Sequence, residues 1–100
     1  MNGRMPDFSA SFPDKARRNL NKHDVAFEDA ELIWSDPFPL VAFDRIDDGE
    51  ERWHAPGLSG GVVLLLVVNT YPGEGDAVIR IVSARKATKS ERRASEDGDL

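Results

Sequence analysis

Arginine, lysine, histidine and glutamate side chains are this protein's candidates for transferring protons and binding phosphate. The chain contains no cysteine, so a thiolate metal site is excluded. Its two histidines are His23 and His54, and neither has the i, i+4 companion that a metal site on a helix would need. A phosphate-binding glycine loop and a Ser-His-Asp spacing are also missing, so the sequence predicts neither a metal nor a cofactor. The remaining residue types are sufficient for metal-free cleavage of RNA. That reaction needs a base for the 2′-hydroxyl, cations for the phosphorane and an acid for the departing 5′-oxygen.

Candidates for these roles lie near the ends of the predicted elements. His23, Glu51 and Lys22 could exchange protons. The candidates for holding phosphate are Arg52, Arg80, Arg85 and Lys86. Structural roles remain open for some of them. A histidine at a helix end more often interacts with the helix dipole, and Arg80 in mid-strand could pair with an acid across the sheet.

The net charge of −5 disfavours nucleic acid as a partner, but the charges are unevenly distributed. Residues 15–23 hold four basic residues and no acid, and residues 76–93 hold six basic residues and two acids. Residues 24–51 hold ten acids and a single arginine. A fold that joins the two basic segments would present a basic face to phosphates. Alternatively, both segments are solvated helix faces.

Two helices are predicted in the first third of the chain, after a weakly alternating segment, residues 7–12, that predicts a short strand. Pro13 suits a first helical turn, and good helix formers follow until a break at residues 23–24. The inner side of this helix is predicted to carry Ala16, Asn19 and Leu20. A second helix is predicted over residues 28–34, and its apolar stripe comprises Phe27, Ala30, Leu32, Ile33 and Trp34.

Four strands and a final helix are predicted in the rest of the chain. The strands span residues 40–43, 51–55, 61–70 and 77–83, with a polar turn at 44–49. The third strand has a continuous apolar run, which is typical of a central strand buried on both faces. Thr88 and Glu91 match a capping box, so a short helix should begin at Thr88, fray near Ala94 and lead into an acidic tail, residues 95–100.

The order of these elements predicts an α+β fold: an antiparallel sheet of four or so strands, two N-terminal helices and a short C-terminal helix. We expect a single domain over residues 1–100, with its core at about 8–95. Without a signal peptide or a membrane span, the protein is expected to be cytoplasmic. One sheet face lacks a predicted helix, so it is covered either by the N-terminal segment or by another chain.

The spacing of two arginines in the last strand limits the site. Arg80 and Arg85 are five residues apart, so a regular strand would place them on opposite faces. They can serve one site only if the chain turns after Ser83.

Three blocks of the sequence, in order and with matching gaps, resemble the BrnT family of toxins. Residues 15–27 are similar to the family's signature Lys-x-x-x-Asn-x-x-Lys-His-Gly-Val, and residues 49–53 to its Glu-x-Arg strand. Residues 79–88, Ile-Arg-Ile-Val-Ser-Ala-Arg-Lys-Ala-Thr, are close to the family's most distinctive stretch. The resemblance covers about residues 12–96.

This resemblance implies a RelE-like fold and a metal-independent endoribonuclease that blocks translation by cutting RNA. It also implies a BrnA-like ribbon-helix-helix antitoxin as partner, with operator DNA reached only through that antitoxin. The predicted catalytic residues are His23, Glu51, Arg52, Arg80 and Arg85. The predicted RNA-binding residues are Lys15, Lys22, Lys86 and Lys89.

Four positions depart from the family pattern and leave alternatives open. Ser11 and Phe12 stand where the family has Trp-Asp, Asp24 replaces a glycine, and Ser95 replaces a late aromatic residue. A second hypothesis is therefore a weakened homologue that acts only as an antitoxin-binding co-repressor. A third is a small structural domain that self-associates through its central strand, which would explain the apolar run but not the basic blocks.

Overall fold

A computed structural model describes residues 6–35, 40–61, 63–73, 75 and 77–97. Its helices are α1 (Pro13–His23), α2 (Phe27–Glu31), a 3-10 helix (Leu32–Ser35) and α3 (Lys89–Glu96). Its strands are β1 (Ala42–Asp47), β2 (Glu50–Ser59), β3 (Val63–Thr70) and β4 (Arg80–Lys86). Neighbouring strands are antiparallel, in the order β1-β2-β3-β4. The predicted α+β class is confirmed.

Helix α1 begins and ends as its sequence predicts, but its inner side differs. Pro13 occupies the first turn, and Asp24 ends the helix in the left-handed conformation, with φ of 57°. The prediction that Leu20 faces inward is wrong, because 47% of its surface is exposed. Asn19 is the buried residue, at 5% exposure, because its amide pairs with backbone groups that would otherwise be unsatisfied.

The second helical segment begins at Phe27 and changes its winding after Glu31. A 3-10 helix has three residues per turn, so its side chains do not continue the 3.6-residue stripe on which the prediction rested. Ile33 and Trp34 therefore reach the core, whereas Leu32 is exposed, contrary to its predicted place in the apolar stripe.

The N-terminal segment and the first hairpin differ from their predictions. Residues 7–12 form no strand; a single parallel bridge joins Asp7 to Val78. β1 continues through most of the predicted turn, and the connection shrinks to Asp48 and Gly49. Both have positive φ, 53° and 78°, as a tight two-residue hairpin requires.

The other strand ends also move. β2 continues four residues beyond its predicted end, through Pro56. Proline is tolerated there because β1 pairs with β2 only as far as His54, so Pro56 has a neighbouring strand on one side alone, β3. β4 begins at Arg80 and continues to Lys86 rather than ending at Ser83. Helix α3 follows the predicted cap Thr88 and includes Ser95, so only part of the predicted tail remains outside it, and residues 98–100 lie outside the described residues.

The core lies on one face of the sheet, which we call the helix face. Ala55, Leu65, Val67, Ile81 and Ala84 of the strands pack there against the helical segment that carries Val25, Phe27, Ala30, Ile33 and Trp34. Side chains alternate along a strand, so the opposite face carries Arg52, His54, Leu66, Thr70 and Arg85. We call it the arginine face. No helix in the described part of the chain is long and apolar enough to cross a membrane.

Candidate functional site

A β-bulge places Arg80 and Arg85 on the same face of the sheet. Arg85 is opposite Leu66 on β3, and Arg80 is opposite Thr70. Leu66 and Thr70 are four residues apart, so both point to the arginine face. The register shifts between Val68 and Asn69, which inserts one extra residue into β4 and reverses its alternation. The predicted turn after Ser83 is therefore replaced by a bulge with the same effect.

Arg52 and Arg80 share the carboxylate of Glu50. The Nη2 atom of Arg52 lies 3.9 Å from Oε1 of Glu50, and Nη1 of Arg80 lies 3.4 Å from Oε2. Arg52 also lies 3.7 Å from Asp47, and only 13% of its side chain is exposed. One acid thus lies between two guanidinium groups at the β1–β2 end of the arginine face.

The segment before α1 fixes the position of Arg80. Its Nε donates to the carbonyl of Ala10 at 3.1 Å, and its guanidinium lies over the Phe12 ring, 4.8 Å from the centroid. The hydroxyl of Ser11 accepts from the backbone N–H of Ile81 at 2.9 Å. These contacts cover the outer edge of β4 and leave Arg80 few alternative conformations.

Two buried polar atoms on the arginine face have no hydrogen-bond partner among the described residues: Nε of Arg52 and Oγ1 of Thr70. Buried polar groups are nearly always paired with protein, water or ligand. Both atoms lie in the part of the face where Glu50 joins the two arginines, beneath the surface that a bound group would contact.

Arg85 is paired with Glu91 of α3 rather than with the Glu50 cluster. Its Nη1 and Nη2 donate to the two oxygens of Glu91 at 2.7 and 2.8 Å. This pairing, together with the hydrogen bond from the backbone of Thr88, lowers the pKa of Glu91 to about 2. The same hydrogen bond to Glu91 raises the pKa of Arg85.

The two histidines lie on different elements, His23 at the end of α1 and His54 on β2. His54 is two residues from Arg52 on the same strand, so it shares the arginine face. His23 lies one helical turn after Asn19, on the side of α1 that contacts β4, and is half-buried. Because the chain from Ser11 to Asn19 follows β4 from Ile81 to Ala84, His23 lies toward the end of β4 that carries Arg85. The sequence prediction included His23 and omitted His54.

Glu51 points away from Arg52. By the alternation of β2 it belongs to the helix-face side, with Trp53. It also lines an open cavity of about 630 Å³ at the hairpin end of the sheet, to which Glu50 contributes as well. Glu50, which sequence reasoning missed, is the glutamate that reaches the arginines. The alternation of side chains along β2 could have identified it, because Glu50 and Arg52 are two residues apart.

The four predicted RNA-binding lysines lie on three different elements. Lys86 is opposite Leu65, on the helix-face side, and lines a cavity of about 280 Å³ with Asp24 and Asp29. Lys15 is half-buried on α1, and Lys22 is exposed in its last turn. Lys89 is exposed at the first position of α3.

The arginine face can bind phosphate and transfer protons. Arg52 and Arg80 supply paired cations, and Glu50 and His54 are titratable groups on the same face. Within the described ranges, no group of three or more histidine, aspartate or glutamate side chains is placed to hold a metal ion.

Comparisons with known proteins point to one family. A family model described as "Ribonuclease toxin, BrnT, of type II toxin-antitoxin system" matches residues 13–91. The crystal structure of the Brucella abortus ribonuclease toxin BrnT is similar with a TM-score of 0.62 and 22% sequence identity. That similarity covers 86% of this chain and 100% of the Brucella chain, and it shows a shared fold. No curated protein matches the sequence.

Proposed function

Because this chain belongs to the BrnT family, the ribonuclease toxins of type II toxin–antitoxin systems, we propose that it is an endoribonuclease whose active site is the arginine face. The family resemblance seen in the sequence is confirmed by the match over residues 13–91. The observation that carries the proposal is the bulge in β4, which brings Arg80 and Arg85 onto the face that holds Arg52. Arg52, Arg80 and Arg85 together form a surface suited to an RNA backbone.

In the proposed reaction, the scissile phosphate binds between Arg52 and Arg80 and displaces Glu50 from them. A base on the arginine face takes the proton of the 2′-hydroxyl, and the 2′-oxygen attacks phosphorus. The bond to the 5′-oxygen breaks, and an acid protonates that oxygen, leaving a 2′,3′-cyclic phosphate and a 5′-hydroxyl. Glu50 and His54 are the nearest candidates for these proton transfers, and the guanidinium groups stabilise the phosphorane charge without a metal.

The sequence-predicted site residues divide between two positions in this proposal. Arg52 and Arg80 bind the reacting phosphate, and Arg85, with His23 toward its end of β4, binds a neighbouring part of the backbone. Leu66 and Thr70 are four residues apart on β3, so roughly 13 Å separates the two positions, about two nucleotides of extended RNA. Glu51 is not placed in the proposed site, because the alternation along β2 points its side chain away from Arg52. The lysines would act as dispersed contacts outside it.

Membership of a type II toxin–antitoxin family implies an antitoxin partner. We propose that this partner is a BrnA-like ribbon-helix-helix protein, and that operator DNA is contacted only through it. The net charge of −5 supports this arrangement, since a chain with that charge is repelled by duplex DNA. Exposed acids at the β1–β2 hairpin, Asp47 and Asp48 among them, suit a basic segment of the antitoxin better than DNA.

Cleavage of a labelled single-stranded RNA by the purified protein, in the presence of EDTA, tests the proposal. Arg52→Ala should reduce the cleavage rate by about a hundredfold, since it removes a positively charged hydrogen-bond donor at the reacting phosphate. Arg17→Ala is the matched control, because Arg17 is an exposed arginine of α1 paired with Asp14 and lies outside the arginine face. Equal rates for the two folded variants would place the site elsewhere, and loss of cleavage in EDTA would contradict a metal-free reaction.

The pairing of Arg52, Arg80 and Arg85 with carboxylates favours a second candidate, a weakened homologue that only binds the antitoxin. Glu50 neutralises Arg52 and Arg80, and Glu91 neutralises Arg85. In that case the folded parent protein would bind its antitoxin, cut no RNA and cause no growth arrest when expressed. Cleavage that depends on Arg52 decides for the ribonuclease.

A further inference from the structure

Helix α3 is attached to the rest of the protein mainly at its first turn. None of its eight residues is buried. The backbone N–H of Ala87, just before the helix, donates to the carbonyl of Leu64 at 3.0 Å. The capping box joins Thr88 to Glu91, and the ion pair joins Glu91 to Arg85. The carboxylate of Glu91 therefore links the helix cap to the arginine face.

That carboxylate accepts three hydrogen bonds. Its Oε1 accepts from Nη1 of Arg85 at 2.7 Å and from the backbone N–H of Thr88 at 2.9 Å, and its Oε2 accepts from Nη2 of Arg85 at 2.8 Å. Oε1 and Oε2 of Glu91 thus occupy Nη1 and Nη2 of Arg85. These are the paired N–H donors with which a guanidinium can bind two oxygens of a phosphate. A phosphate and Glu91 cannot both use this edge of Arg85.

We propose that Glu91 is an internal competitor of RNA phosphate at Arg85, so that phosphate binding releases Glu91 and loosens the start of α3. The inference rests on the proposed contact between Arg85 and RNA. Glu91 lowers the affinity of the arginine face for RNA, and any change that removes its charge strengthens binding.

The exposure of the pair allows a bound phosphate to compete with it. The side chains of Arg85 and Glu91 are 43% and 26% exposed, so water partly screens even this two-point ion pair and a phosphate can reach the guanidinium. Thermodynamic linkage makes this competition reciprocal. If phosphate binding displaces Glu91 from Arg85, then any interaction that stabilises the first turn of α3 with Glu91 on Arg85 weakens phosphate binding.

Glu91→Gln separates the charge of this residue from its role in the cap, because glutamine at the third helical position also forms a capping box. Glu96→Gln is the matched control, since it makes the same change in net charge on the same helix, and no ion pair joins Glu96 to another described residue. The probe is a short fluorescein-labelled RNA with 2′-O-methyl groups throughout, which cannot be cleaved, and binding is measured by fluorescence anisotropy at low salt.

We expect Glu91→Gln to bind this RNA about two- to fivefold more tightly than Glu96→Gln, the factor by which an exposed ion pair can compete. Arg85→Ala should bind more weakly than the parent and should be insensitive to a further Glu91→Gln change. Equal or weaker binding by Glu91→Gln, with Arg85→Ala impaired, overturns the competition alone. Undiminished binding by Arg85→Ala overturns the proposed RNA contact and this inference with it.

Inorganic phosphate supplies a second readout that does not depend on RNA. The backbone amide of Thr88, which donates to Glu91, should shift in the NMR spectrum as phosphate is added to the parent protein, and should stay unchanged in Arg85→Ala. A Thr88 amide that does not respond, while the Arg85 guanidinium resonance does, would show that phosphate binds beside Glu91 without releasing it, and the proposal would fail.

Discussion

The side chain of Asn19 pairs with both backbone groups of Ala84 in the way that a neighbouring strand would. Its Nδ2 donates to the Ala84 carbonyl at 2.9 Å, and its Oδ1 accepts from the Ala84 N–H at 2.9 Å. The same Nδ2 donates to the carbonyl of Val25 at 2.9 Å. One amide on α1 thus satisfies the outer edge of β4 and the segment that leads into α2, next to the strand that carries Arg80 and Arg85.

Asn19→Ala should lower the free energy of unfolding by about 2–4 kcal/mol, because it leaves buried backbone groups of Ala84 and Val25 without partners. Urea denaturation followed by circular dichroism measures the change. Asn21→Ala on the exposed side of the same helix is the control and should cost no more than about 0.5 kcal/mol. A loss as small as that of the control would show that water replaces the amide.

Gly57 allows the 3-10 helix to approach β2 closely. A Cβ atom at this position would lie 2.7 Å from Cβ of Ile33, which is too short for a real contact. Gly57→Ala should therefore destabilise the protein by about 1–3 kcal/mol, the usual cost of overpacking. Gly73→Ala is the matched control, since its Cβ would meet nothing closer than Val78 at 3.9 Å. Thermal unfolding should separate the two variants, and equal midpoints would contradict the close approach.

The sequence predicted the class of fold and the identity of most elements because those depend on local periodicity, caps and turns. The cap Thr88 with Glu91 and the start of α1 at Pro13 were correct for that reason. The burial of Leu20 was predicted wrongly, because the helix position that faces β4 is occupied by Asn19, which hydrogen-bonds to the strand's backbone. Only the tertiary structure shows that the backbone groups of β4 are unpaired by another strand there.

The candidate site was only partly predictable. Alternation along β2 separates Glu51 from Arg52 and would also have found Glu50, so that information is present in the sequence. The bulge that places Arg80 and Arg85 on one face could not be predicted in this way. A bulge arises from the register between two strands, and no residue type in β4 indicates it. The pairing of Arg85 with Glu91 depends on the direction in which α3 leaves the sheet.

Asp24 ends α1 at a position that glycine would fill better. It adopts φ of 57°, which costs less for glycine than for other residues, and it places a negative charge at the negative end of the helix dipole. Asp24→Gly removes both costs and should raise the free energy of unfolding by about 0.5–1 kcal/mol. Asp24→Asn removes only the charge and should gain less, whereas Asp24→Ala keeps the backbone strain. Urea denaturation that ranks alanine above glycine would contradict this account.

The pKa of Glu91, about 2 against a usual value of 4.5, makes the attachment of α3 sensitive to acid. Since the folded pKa is the lower one, the stabilisation is fully present above about pH 4.5 and is lost as the pH falls toward 2. The ¹³C shift of the Glu91 carboxyl, followed by NMR, should titrate near 2 in the parent and in the control Arg17→Ala, and closer to its usual value in Arg85→Ala. If the midpoint were the same in Arg85→Ala, the backbone of Thr88 rather than Arg85 would be the cause of the low pKa. The ion pair would then be too weak to hold Glu91 against phosphate.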